Sequence, residues 1–102
     1  MTVETVPLFS LQVAGRPTAL LSGRLWIRTD DDHHVEQWGV ETVLERPTSF
    51  PEAPDVPVRA KSGPHIVHGR ATIGDVRTLP GGYCSLTLEG EGRLTGVEAL
   101  IS

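Results

Sequence analysis

From Thr18 to Arg28 the chain alternates without interruption. Ala19, Leu21, Gly23, Leu25 and Ile27 share one parity, and Thr18, Leu20, Ser22, Arg24, Trp26 and Arg28 share the other. Successive side chains of an extended strand point to opposite faces, so this pattern predicts a strand half-buried on its Leu25–Ile27 side. The same period recurs along the chain. Phe9, Leu11 and Val13 are expected on one face, followed by a turn at Gly15-Arg16-Pro17. In the run His34–Glu45, Trp38, Val40, Thr42 and Leu44 read as inward, with Gln37, Glu41 and Glu45 in water. A short run, Val58–Lys61, leads to a turn at Ser62-Gly63-Pro64. Val67, Gly69, Ala71 and Ile73 then share a face, but the parity slips before Val76. Gly74 stands where a β-bulge would absorb the slip. Cys84, Leu86 and Leu88 read as inward, with Tyr83, Ser85 and Thr87 outward. Gly90-Glu91-Gly92 is either a turn or a kink, and Arg93–Ile101 has no clean parity.

No stretch keeps a 3.6-residue period between capping residues, so the expected class is all-β, with at most one short helical turn. A length of 102 residues suits one domain over residues 1–102, with six to seven strands. Glycines recur inside the runs at Gly23, Gly39, Gly69, Gly74 and Gly96, where they favour sharp bending. The expected architecture is therefore a small glycine-bent antiparallel β-barrel, with a compact β-sandwich as the alternative. Pro47, Pro51, Pro54 and Pro57 mark residues 47–57 as an extended crossover, because proline cannot donate to a ladder. Phe50 is its expected hydrophobic anchor.

Several classes are excluded. Hydrophobic residues are 38% of the chain and charged ones 22%, which is not the balance of a disordered segment. No apolar run approaches the ~20 residues of a spanning helix. A single cysteine makes no internal disulfide. Met1–Pro7 has neither a basic n-region nor an apolar h-region, so a cytoplasmic location is expected.

Charge is unevenly distributed. Residues 29–56 carry Asp30, Asp31, Asp32, Glu36, Glu41, Glu45, Glu52 and Asp55 against Arg46 alone, whereas residues 1–28 and 57–80 are net basic. The whole chain is at −4, which argues against non-specific binding to a phosphate backbone. A basic patch folded from the two basic segments remains open.

No catalytic set emerges. Asp30-Asp31-Asp32-His33-His34 reads as a solvated hairpin turn rather than a metal site, because adjacent histidines in a strand diverge. Cys84 shares the parity of Leu86 and Leu88, the position of a buried, inert thiol. No phosphate-loop or dinucleotide fingerprint is present, so no cofactor is expected.

The anomaly is Trp26, a large aromatic between Arg24 and Arg28 on the parity opposite Leu25 and Ile27, with Leu20 beside it. Arginine stems, the proline-rich crossover with Phe50, or a partner subunit would each cover it. Leu20, Arg24, Trp26, Arg28 and Phe50 are accordingly the expected interaction surface of a non-catalytic module that binds a protein partner or its own copy. The alternative is a small-ligand-binding barrel or an enzyme using the barrel mouth, with His65, His68 and Tyr83 as its polar groups. A pocket of about 300 Å³ or more would favour it. A third reading is nucleic-acid binding through Arg24, Trp26, Arg28, Arg59 and Arg70.

Overall fold

The computed structural model describes residues 2–46, 50 and 55–99. Eight strands form one antiparallel sheet: β1 (Thr2–Pro7), β2 (Ser10–Val13), β3 (Arg16–Pro17), β4 (Leu20–Thr29), β5 (Val35–Leu44), β6 (Val56–Ser62), β7 (His65–Thr78) and β8 (Cys84–Thr95). Their order is β1-β4-β5-β8-β7-β6-β2-β3. The described residues hold no α-helix, only 3₁₀ turns at Pro80–Gly82 and Val97–Ala99. No described helix is long and apolar enough to cross a membrane.

The strand count exceeds the expected six to seven because β1 and the two-residue β3 are added; Arg16 and Pro17, expected in a turn, pair with Val13 and Gln12 of β2. Thr2–Val13 is interrupted between β1 and β2. There the Leu8 N–H donates to Gly23 O and the next N–H, of Phe9, donates to Lys61 O, each at 2.8 Å. The chain thus changes partner, from β4 to β6, in one residue. That step corrects an expectation. Leu8 takes the core position, while Phe9 is 66% exposed and does not share a face with Leu11 and Val13. Periodicity does not predict β1, because Val3 and Val6 place apolar groups on both of its parities.

A second correction concerns β4. Its register against β5 shifts between Leu20 and Ser22, leaving Leu21 as the extra residue. A bulge reverses the parity before it. Leu20 therefore packs against the core, and Leu21 faces water. The bulge expected at Gly74 is present, as a register shift between Ile73 and Asp75. Val76 nevertheless stays exposed, because β6 pairs with β7 only as far as Ala71. Gly90-Glu91-Gly92 is a kink within β8 rather than a turn.

The core is one cluster. Leu25, Ile27, Trp38, Val40, Leu44, Leu86 and Leu88 come from β4, β5 and β8; Leu11, Val13, Val56, Val58, Ala60, Val67 and Ala71 come from β2, β6 and β7. Trp38 fills the space over two glycines of neighbouring strands. A β-carbon at Gly69 would lie 3.0 Å from its Cζ2, and one at Gly90 would enter the indole. Its Nε1–H donates to Gly92 O at 3.0 Å, so the buried ring leaves no donor unpaired. Thr42, also buried, donates its hydroxyl to Leu86 O at 3.1 Å.

Candidate functional site

The outer face of β4 carries Arg24, Trp26 and Arg28 as expected, and the register supplies their neighbours. Trp26 lies between Thr5 of β1 and Gly39 of β5; Arg24 lies between Pro7 and Glu41; Arg28 lies between Val3 and Gln37. The Trp26 ring covers Gly39, where a β-carbon would lie 2.5 Å from Cε2, Cζ2 and Nε1. The half-buried indole is thus seated on its own sheet. Both flanking arginines meet carboxylates of β5. Arg24 Nε–H donates to Glu41 Oε2 at 2.8 Å, and Arg28 Nε lies 3.4 Å from Glu36 Oε2 without a hydrogen bond. Leu20 is not part of this face, for the reason given by the bulge. Phe50 is half-buried and packs against the core; most of the expected crossover lies outside the described residues, but Val56 and Pro57 at its end belong to β6, paired with Ala71 and Arg70 of β7.

Beside this face runs an open strand edge. In the β1–β4 ladder the Leu8 N–H points at β4, so Val6, Glu4 and Thr2 do so too, by the alternation of antiparallel pairs. Pro7, which has no N–H, falls between them. Val3 and Thr5 therefore aim their N–H and C=O groups away from β4, and no described strand pairs with them there.

The three mouth residues are not brought together. His68 pairs with Thr95 at one end of the β7–β8 ladder, whereas Tyr83 follows the Pro80–Gly82 turn at the other, roughly 30 Å away at strand rise. His65 and His68 are exposed near the start of β7. A cleft of about 730 Å³ lies elsewhere, between the turn after β4 and the end of β8. Trp38, Leu94 and Val97 line it with His33, His34, Glu36, Arg93 and Glu98. Sequence reasoning placed none of these on one site except the adjacent histidines, because the β5–β8 pairing that joins them is non-local.

The turn that borders this cleft explains its own acidic residues. Asp30 Oδ1 accepts the N–H groups of Asp32 and His34, both at 2.9 Å, and His33 takes a left-handed conformation with φ +63°. This is a three-residue hairpin loop locked by an Asx side chain. The His34 N–H holds the Asp30 carboxyl below its ordinary range, assisted by the Asp32 N–H and the nearby imidazole and opposed by desolvation. Asp30, Asp32 and His34 place one ligand-type atom each within 4.8 Å of one another, an approach that the turn geometry accounts for. Cys84 is buried in the core at the position its parity predicts.

A different wall holds two cations, Arg59 and Lys61, that meet no carboxylate among the described residues. Gln12 of β2, Arg59 of β6 and His68 of β7 are cross-strand neighbours, as are Ser10, Lys61 and Ile66 in the next row. All six are exposed. Two shallow clefts, of about 310 and 430 Å³, meet at Arg59. Arg70, on the same strand as His68, is instead bonded to Asp55 at 2.8 Å, which raises its pKa and lowers that of the aspartate.

No protein family, characterised protein or solved structure matches this chain.

Proposed function

We propose that the protein is a non-catalytic interaction module: a small antiparallel barrel that self-associates through the free edge of β1. Closure as a barrel, rather than a sandwich, is supported by the course of Thr2–Val13. Its first half pairs with β4 and its second with β6, so one stretch of chain borders both halves of the sheet. A single core cluster fits the same reading.

The observation that carries self-association is the outward edge at Val3 and Thr5. An unpaired edge is a template for another strand unless charge, proline or a bulge protects it. Here the outward parity reads Val3, Thr5, Pro7; Pro7 blunts only the end of the edge next to β2, and Val3 and Thr5 carry no charge, with Val3 62% exposed. The occupant proposed is a second copy, because antiparallel pairing of β1 with itself joins two edges whose outward residues, Val3 and Thr5, are uncharged and of matching β-propensity. Arg24, Trp26 and Arg28 then flank the joint on the extended outer face. Light scattering tests this: two chains per particle are expected, and Val3→Lys should reduce the mass to one chain with an unchanged far-UV spectrum. One chain per particle for the unsubstituted protein at millimolar concentration rejects the reading.

A second reading rests on the cleft at Trp38. Its volume of about 730 Å³ exceeds what a small ligand needs, and its lining mixes His33, His34 and Arg93 with Glu36 and Glu98 above an apolar floor. This suits a small polar ligand bearing both signs of charge. Trp38 fluorescence in a Trp26→Phe background would report its entry; a screen of small zwitterions and nucleotides that leaves the emission unchanged removes this reading.

A further inference from the structure

We propose that the outer wall of β2, β6 and the first half of β7 binds the phosphate backbone of a single-stranded nucleic acid, with Phe9 as a stacking platform. The argument starts from two gaps in the sequence. Residues 5–29 and 56–74 contain no aspartate or glutamate. Strand pairing between β2 and β6 lays these two acid-free segments side by side. On that wall Arg59 and Lys61 have no carboxylate partner among the described residues, whereas Arg24, Arg28, Arg70 and Arg77 meet Glu41, Glu36, Asp55 and Asp75. The nucleic-acid reading of the sequence therefore changes place: Arg24, Arg28 and Arg70 are neutralised, and Arg59 is kept.

Three further features favour a polynucleotide over a lone anion. Arg59 and Lys61 are two residues apart on one strand, about 7 Å along it, so they form a track rather than a point. Gln12, Ser10 and His68 border the track with hydrogen-bonding groups, and the two clefts share Gln12 and Arg59 as lining residues. Phe9 donates its N–H to Lys61 O at the end of this track and leaves its ring 66% exposed. An exposed aromatic beside a cationic groove is the arrangement on which unpaired bases stack. The chain as a whole is acidic, but screening confines attraction to about 8 Å at physiological salt, so the local cations decide.

The test is fluorescence anisotropy with labelled 12-nucleotide poly-dT and poly-rU, at 50 and 300 mM salt, with poly-glutamate as competitor. Binding should weaken steeply with salt. Arg59→Ala/Lys61→Ala should lower affinity at least tenfold and flatten the salt dependence by roughly 1.4 in log–log slope, the value for two lost phosphate contacts on a single strand. Phe9→Ala should weaken binding about tenfold while leaving that slope unchanged. Both variants alter exposed side chains; far-UV spectra verify their folding, and Arg77→Ala serves as the control that leaves affinity unaltered. No salt-dependent binding at 50 mM, or binding indifferent to the double substitution, overturns the proposal. Equal competition by poly-glutamate with a silent Phe9→Ala also overturns it, and assigns the wall to an acidic polypeptide.

Discussion

The indole of Trp26 occupies the space that a side chain at Gly39 would take. The two residues face each other across β4 and β5, and a β-carbon on Gly39 would sit 2.5 Å from three ring atoms. Glycine thus lets the ring lie down, and the ring shields a stretch of backbone that glycine leaves bare. Gly39→Ala should lift the indole into solvent. We expect a red-shifted Trp26 emission, read in a Trp38→Phe background, and a loss of about 1–3 kcal/mol in urea unfolding. Unchanged emission would show that the contact is incidental.

The inner counterpart is stiffer. Trp38 is buried against Gly90, and its Nε1 is committed to Gly92 O. Gly90→Ala cannot be relieved by moving the ring into water. It should cost more than Gly39→Ala, in the range of about 3 kcal/mol or above, with loss of near-UV tryptophan ellipticity. Equal costs at the two glycines would contradict this difference in confinement.

Gly96 combines two constraints. Its φ is +88°, and a β-carbon there would collide with the carbonyl oxygen of Ile66. Backbone, unlike a side chain, has little freedom to withdraw. Gly96→Ala should destabilise by roughly 2–4 kcal/mol and release the Val97–Ala99 turn, measurable as faster amide exchange at Val97.

The β4 bulge makes a paired prediction. Leu20→Ser removes a side chain packed on the core and should cost about 1–3 kcal/mol; Leu21→Ser changes an exposed one and should stay within about 0.5 kcal/mol. The reverse ranking would restore the uninterrupted alternation of the sequence and remove the bulge.

Asp30 supplies the pH dependence. Its carboxyl is held below the ordinary 3.8, first by the His34 N–H. A carboxylate depressed in the folded state contributes stability that is complete above its unfolded pKa and is lost as pH falls through the folded one. Carbon-detected NMR should therefore give a midpoint under 3.8. The hairpin amides of Asp32 and His34 should shift together with that midpoint, and Asp30→Ala should abolish the coupled shift.

Alternation made most of the sheet legible. β5, the bulge at Gly74, the inward set Cys84, Leu86 and Leu88, and the Asp30–His34 turn all follow from period two and turn chemistry, which are local. What failed was parity next to an irregularity. Alternation puts Phe9 and Leu20 on the wrong faces, because the partner switch at Leu8–Phe9 and the extra residue Leu21 leave no mark in composition. β1 was missed because both of its parities carry valine.

The candidate site was less legible still. Sequence singled out Trp26 and its flanking arginines, but it had no means of knowing that Gly39 would seat the ring or that Glu41 and Glu36 would meet the charges. Those partners lie 13, 17 and 8 residues from Trp26, Arg24 and Arg28, and only strand register decides which residues meet. His65, His68 and Tyr83 were grouped as polar residues near strand ends, and the length of β7 separates them.

By itself, then, the sequence determined an all-β chain, the inward residues of its regular strands, and two segments without a carboxylate. Tertiary structure alone decided that β2 and β6 lie side by side, that Leu8 turns in and Phe9 out, and that Arg59 and Lys61 meet no carboxylate among the described residues. The physical reason is that periodicity is a property of one strand, while register and charge pairing belong to strands far apart in the chain.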